Sequence, residues 1–412
     1  MGLVKSFIID HGFHPLNDIY VCSRCVDDYG LKRYISENAE YNECSYCGKW
    51  SNKKKIAIHI NDFISYFLEC LATEWGDPND EGVGWESKEG GWISAKVIDS
   101  YDLIHDELEL DINHEELRDL LIQTLCDKEW CQKDPHGLLL DDDLFFSWQR
   151  FTRQIKHKSR YVFFRIETFS GYSPESDIVK EPHEIMDHLG SIVKDLGLIR
   201  TFSANKEVFR ARVSSKGEKF RKVEELGPPD ADNAKYSNRM SPAGIPMFYG
   251  SLEKKTAIEE IIAPSNKRAA VVSLATFTTL DEMKILDLTD VPATPSIFDE
   301  KMRYLRLPLS FLNAFLADFI KPITKDGREH IKYVPTQVVT EYFRHLFQDE
   351  DGKPIQGIFY PSSRREKGTA CVFFFDQNNC TEDPKEGPAW RKKWLLLAKD
   401  KTTYIKIQNK NK

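Results

Sequence analysis

The sequence predicts a multi-domain α+β protein with an N-terminal segment closed around a metal, then a helical region, then a C-terminal mixed sheet. Three observations carry this expectation. Two CxxC pairs lie within the first 50 residues, apolar residues then repeat at helical spacing to about residue 158, and short apolar runs alternate with helices from about residue 200. At 412 residues, 41% of them hydrophobic and 12% aromatic, the chain is long enough for two or three cores.

The charge narrows the function classes. A net charge of −8 and a pI near 5.8 argue against general affinity for long nucleic acid, which needs a basic face to release counterions. A small anionic ligand held by a few arginines is compatible with both values. No apolar run approaches the ~18 residues that span a bilayer, and the N-terminus lacks a signal pattern, so the expectation is a cytoplasmic protein with no membrane partner. The opening Met1-Gly2-Leu3-Val4-Lys5-Ser6 fits the loose N-myristoylation pattern, a short match. Nine cysteines, an odd number, fit a reducing compartment better than a disulfide framework.

Residues 1–55 form the metal-binding segment. Cys22-Ser-Arg-Cys25 and Cys44-Ser-Tyr-Cys47 are two knuckles separated by 18 residues, the spacing of a zinc ribbon, with Gly48 placed to turn the chain. Four thiolates leave no position for water, so a structural zinc is expected, against a disulfide pair or a redox CxxC. His11 and His14 lie nearby and are not needed as ligands.

Residues 56–165 read as mainly helical. Ile60, Phe63, Ile64, Phe67 and Leu68 share one helical stripe; Leu117, Leu120 and Leu121 share another. Between them WGDPNDEGVGWESKEGGW is a loop or short hairpin, with Trp75, Trp85 and Trp92 expected as core. Arg150 and His157, separated by six residues, raise a general-base RNase as one reading and a basic solvated helix face as the other. Cys126 and Cys131 are expected as buried thiols.

A connecting segment, 166–204, leads to the C-terminal domain, 205–385, and a tail, 386–412, whose YIKI is a final strand or a frayed end. EVFRARV is a strand that places Arg210 and Arg212 on one face. A long loop runs from Ser214 to about Pro246. Ser251 is positioned to cap the helix LEKKTAIEEII, AAVVSLATF and MKILDL are strands, and Pro335 opens a helix with Val339, Phe343, Leu346 and Phe347 on one stripe. Lys255 is spaced to pair with Glu259, which leaves Glu260 without a local partner. In YPSSRREKG the turn needs positive φ, which Gly368 supplies; the serines and arginines ask for another explanation.

The order Phe209-Arg210-Ala211-Arg212, NRMSPAGIPMFYG, Thr256-Ala257-Ile258-Glu259-Glu260 and Tyr360-Pro361-Ser362-Ser363-Arg364 resembles the RES domain family, over about residues 205–380. VPTQVVTEYFR and GIFYPSSRR resemble in particular the RES proteins with an N-terminal HEPN-like helical region. The resemblance implies a fold similar to ADP-ribosyltransferases and a toxin that breaks the nicotinamide–ribose bond of NAD, passing ADP-ribose to water, phosphate or a protein. By position it makes Arg210, Glu260 and Ser362 the catalytic residues, with Arg239 and Tyr249 binding substrate; Arg212, the neighbour and rival of Arg210, and Arg364 or Arg365 in the loop are further candidates for holding phosphate. Met240 stands where the family has an aromatic after the second arginine, which weakens Arg239 most.

The chemistry of these residues fits the roles. A carboxylate stabilises the positive charge that builds on ribose as the bond breaks, and arginine forks suit a diphosphate. Tyr249 suits stacking on nicotinamide, and Ser362 suits a hydrogen bond to ribose or carboxamide; alternation puts Ser362 and Ser363 on opposite faces. The leading reading is a toxin or defence effector whose N-terminal part senses a signal or binds an antitoxin-like partner. The rivals are the RNase of Arg150 and His157 and a non-enzymatic zinc-dependent binding protein.

Overall fold

The computed structural model describes residues 12–125, 128–135, 140–162, 182–214, 217–262, 270–323, 326–385 and 392–407. The myristoylation pattern, His11 and Cys126 lie outside these residues. The chain forms two compact units, Met1–Asp142 with Ala293–Ser310, and Asp143–Pro292 with Phe311–Lys412.

In the first unit the strand Tyr20–Cys22 pairs antiparallel with Ala57–His59 and delivers the first knuckle. Asp28 then caps the helix Tyr29–Glu37 by accepting the Leu31 amide. A single apolar cluster joins Val21, Leu31 and Ile35 of the cysteine-bearing segment to Ile60, Phe63, Ile64 and Phe67 of the helix Ile60–Leu71. The helix Glu115–Thr124 adds Leu117 and Leu121 to it, with Leu120 partly buried against it.

Mainly helical is too simple a description of this unit. Strands Trp75–Gly76, Ile98–Asp99 and Glu129–Gln132 form a small antiparallel sheet, and Gly84–Glu86 pairs with Gly91–Ile93. Strands of two to four residues carry no readable period, so apolar spacing could not show them. Trp75 is core, but Trp85 is 55% exposed and meets Trp92 edge to face at 5.1 Å across the hairpin. Trp92 in turn donates to Glu129.

Residues 293–310, far along the chain, complete this core. Tyr66 donates its hydroxyl to the Phe298 carbonyl at 2.8 Å, Arg306 pairs with Glu74 at 2.9 Å, and Arg33 pairs with the buried Asp299. Gly30 permits the approach: a Cβ there would sit 2.5 Å from the Phe298 carbonyl.

The second unit is built on a mixed sheet with ten strands among the described residues. One edge runs Cys380–Thr381, Leu395–Leu397, Ala270–Thr279, Glu207–Ser214, Phe248–Ser251; the order continues Thr369–Phe373, Gly357–Pro361, Met283–Asp287, Ile199–Phe202. Met283–Asp287 runs parallel to Gly357–Pro361 and Cys380–Thr381 runs parallel to Leu395–Leu397. YIKI is indeed a strand, Thr403–Ile407 against Ala270–Thr279.

Two expected details differ. In the helix Val334–His345 and its cap, Val339, Phe343 and Phe347 are buried while Leu346 is 74% exposed, because the helix ends at His345 and its phase no longer holds. Ser251 does not cap the helix Lys254–Ile261; Glu253 is the N-cap residue, and Ser251 donates its hydroxyl to the Glu253 carbonyl.

Replacing Gly30 with alanine forces the Phe298 backbone away. The expected loss is about 1–3 kcal/mol of stability, read as a lowered melting temperature of the full chain; Gly48→Ala, at φ 65 with open space around its Cβ, carries a backbone penalty instead.

Candidate functional site

The strand Glu207–Ser214 is central, and its two sides differ. It pairs at every position from Glu207 to Ser214 with Ala270–Thr279. On the other side it pairs with Phe248–Ser251 only through Phe209 and Ser251. Beyond that pair the strands part, and a cavity of about 1170 Å³ is lined from both of them.

The helix Lys254–Ile261 lays Ala257, Ile258 and Ile261 on Phe209, Ala211 and Leu274, one face of the sheet. Alternation sends Arg210 and Arg212 to the opposite face. The parted strands let residues of both faces, Glu260 included, line the same cavity.

Arg210 donates to the Tyr249 carbonyl at 2.6 Å and lies over the Phe248 ring, 5.2 Å from its centroid. Its Nε is buried and has no hydrogen-bond partner. Arg212 donates to the Gly227 carbonyl at 2.6 Å. Among the described residues neither guanidinium has a carboxylate partner. Burial and then the neighbouring Arg212 cation push Arg210 down to about 9, so it stays protonated at neutral pH. Burial lowers Arg212 also. Two desolvated cations with donors to spare make a site for a doubly charged anion.

Tyr249 shares a 2.9 Å hydrogen bond with Ser241, and burial pushes its phenol up. Tyr360, in the cavity wall, is raised by burial, then by Glu260 and Tyr249. Both phenols therefore remain neutral donors. Tyr360 has no role in the sequence reading; its place two residues before Ser362 in the same motif was the available signal.

Arg239 lines the cavity but is held by structure. It donates to the Phe319 and Lys321 carbonyls at 2.6 and 2.8 Å, at the end of the helix Arg306–Ile320, and stands over Tyr333. Met240 beside it is fully buried. Lys235 and Arg364 add positive charge to the wall, which His330 also lines.

The loop after Pro361 answers the question of the doubled serine. Ser362 donates its hydroxyl to Glu260 Oε1 at 2.5 Å and accepts the amides of Arg364 and Arg365 at 3.2 Å each. Ser363 and Arg364 line the cavity. Glu259 pairs with Arg365 at 3.0 Å and not with Lys255, so Arg365 is not available for phosphate, and Glu260 does have a partner, Ser362. The positive φ of this turn belongs to Lys367, at 57°. Gly368 is required for another reason: a Cβ there would lie 2.6 Å from the Thr256 hydroxyl, at the start of the Glu260 helix.

In the first unit the Sγ atoms of Cys22, Cys25, Cys44 and Cys47 lie within 4.8 Å of one another. The contacts are 3.9, 3.5 and 3.6 Å. Four thiolates bound tetrahedrally at 2.3 Å would have edges of about 3.8 Å, so the cluster fits a metal ion. Cys131 is buried, as expected, and burial raises its thiol.

Arg150 and His157 are both exposed on the helix Leu140–His157, about 10 Å apart along its axis. A second cavity, about 430 Å³, takes in His157 with Arg153 and Lys156 but not Arg150.

The chain is thus an α+β protein with a mixed sheet, a cavity lined by two arginines and a carboxylate, and a four-cysteine cluster. Residues 209–395 match the RES domain, and residues 37–169 match the HEPN/RES N-terminal domain 1. The chain belongs to the RES proteins that carry an N-terminal HEPN/RES region. RES domains are in general NAD-acting enzymes, and every residue named above as lining the 1170 Å³ cavity lies within the matched span. The first knuckle, Cys22 and Cys25, precedes the N-terminal match. Searches of curated proteins and of solved structures give no match.

Inorganic pyrophosphate, used as a probe in calorimetry, is expected to bind this chain. Arg210→Ala should weaken it by about tenfold or more, consistent with ~1.5–3 kcal/mol for a charged hydrogen-bonding group, while Arg365→Ala changes it less than about twofold.

Proposed function

We propose that the chain cleaves the nicotinamide–ribose bond of NAD. The observation that carries this reading is that two guanidiniums without a carboxylate partner among the described residues, Arg210 and Arg212, and the Glu260 carboxylate line one cavity. Its volume of about 1170 Å³ is ample for a dinucleotide.

The diphosphate lies on Arg210 and Arg212, where the unpartnered Nε gains its bond. Tyr249 and Tyr360 offer aromatic faces to the nicotinamide end. Glu260 stands by the ribose and stabilises the positive charge that builds there. As the C–N bond breaks, its electron pair goes to the ring nitrogen, and nicotinamide leaves neutral, so no strong general acid is needed. An acceptor oxygen forms the new bond to C1 and gives up its proton. Water, phosphate and a protein side chain are the candidate acceptors, making the activity a glycohydrolase, a phosphorylase or an ADP-ribosyltransferase.

The reading includes a zinc ion at Cys22, Cys25, Cys44 and Cys47, which supplies fold stability through a closed shell. In the cell the activity is that of a toxin or defence effector, restrained or triggered through a partner.

Purified protein is expected to release nicotinamide from NAD, measured by chromatography with and without phosphate. Glu260→Ala should reduce the rate roughly 100-fold or more; an unchanged rate in Glu260→Ala would remove this residue from the chemistry. One zinc per chain is expected by elemental analysis, and Cys44→Ser should lose it and lower the melting temperature. Retention of full metal content after that change would refute the ligand set.

A further inference from the structure

The serine named by position and the serine that lines the cavity are different residues. Ser362 follows the last residue of the strand Gly357–Pro361, and its amide closes the loop on the Gly368 carbonyl at 2.8 Å. Its hydroxyl is fully engaged, donating to Glu260 and accepting from the Arg364 and Arg365 amides. A hydroxyl has one proton and two acceptor lone pairs, so Ser362 has nothing left to donate to a ligand. Next to it, the Glu259–Arg365 pair ties the same loop to the same helix. Gly368 packs that loop against Thr256, at contact too close for a side chain. The neighbouring residue, Ser363, is part of the cavity wall with Glu260 and Arg364, and Ser362 is not.

We propose that Ser362 is a positioning residue that aims the Glu260 carboxylate, and that Ser363 is the serine that touches the ligand. The loop and helix form one device. The helix Lys254–Ile261 presents two adjacent carboxylates, and the loop distinguishes them, giving Glu259 a guanidinium and Glu260 a hydroxyl. Neutralising Glu259 leaves Glu260 as the anion available to the cavity. A neutral donor orients Glu260 without neutralising it, which an arginine in the same place would do.

The kinetic part of this inference rests on the NAD-cleaving reading; the geometric part does not. The test therefore has two arms on the full chain. In the first, the rate at which Glu260 of the ligand-free protein is labelled by a carbodiimide and an amine is mapped by mass spectrometry. Ser362→Ala is expected to change that rate at least threefold, Ser362→Thr to restore it, and Ser363→Ala to leave it within error. In the second, nicotinamide release is measured over a range of NAD concentrations. Ser362→Ala is expected to lower kcat roughly 10- to 100-fold with KM within about twofold, the pattern of a lost transition-state interaction. Ser362→Thr should recover most of the loss. Ser363→Ala should raise KM about three- to tenfold, the pattern of a lost ligand contact.

The proposal is overturned if Ser363→Ala alters Glu260 labelling and Ser362→Ala does not, or if Ser362→Ala raises KM and leaves kcat intact. Absence of nicotinamide release from the unaltered chain would end the NAD reading, and the labelling arm would still decide which serine holds the carboxylate. Should Ser362→Ala fail to fold, Ser362→Cys, with similar volume and a weak donor, makes the comparison with Ser362→Thr.

Discussion

Two guanidiniums two residues apart on a central strand impose the constraint that orders the second unit. Arg210 and Arg212 leave the same face, each reaches only a backbone carbonyl, and no described carboxylate neutralises either. Burying like charges side by side is costly, as the lowered value of Arg210 reflects. Such an arrangement persists because the surrounding sheet leaves no alternative. Full pairing with Ala270–Thr279 fixes the strand, and the loss of pairing beyond Phe209 and Ser251 opens the space that an anion can fill.

The carboxylate side of the cavity is built differently, by short-range contacts between a helix and a loop distant in sequence. Thr256 meets Gly368, Glu259 meets Arg365, and Glu260 meets Ser362, three successive contacts that register the helix against the loop. Each is individually modest, since the ion pair is partly exposed. Together they specify where one carboxylate points, which matters more to the chemistry than their sum matters to stability. Arg239 contributes in the same way, as a brace between its own loop and the end of the helix Arg306–Ile320.

The first unit depends on a different constraint. Its cysteine-bearing segment, its helices and residues 293–310 share one apolar cluster, so the four-cysteine segment and the distant segment stabilise the same core. The buried Asp299 with Arg33, and Glu74 with Arg306, fix the segment's position where apolar packing alone would tolerate sliding.

Sequence by itself determined the residues whose chemistry is local. The two CxxC knuckles, the alternation that pairs Arg210 with Arg212, the helix bearing Glu260 and the strands on either side of it were all legible, because spacing along one element fixes direction. The family resemblance added the order of the motifs. Tertiary structure alone decided which partner each of these residues takes. Glu259 meets Arg365 and not Lys255, Glu260 is held by Ser362, Gly368 is needed for space and not for φ, and Trp85 lies outside the core. The first three of these depend on contacts between chain segments more than a hundred residues apart. Local spacing is blind to such contacts, since the distance between two side chains across a fold is set by packing and not by their separation in sequence.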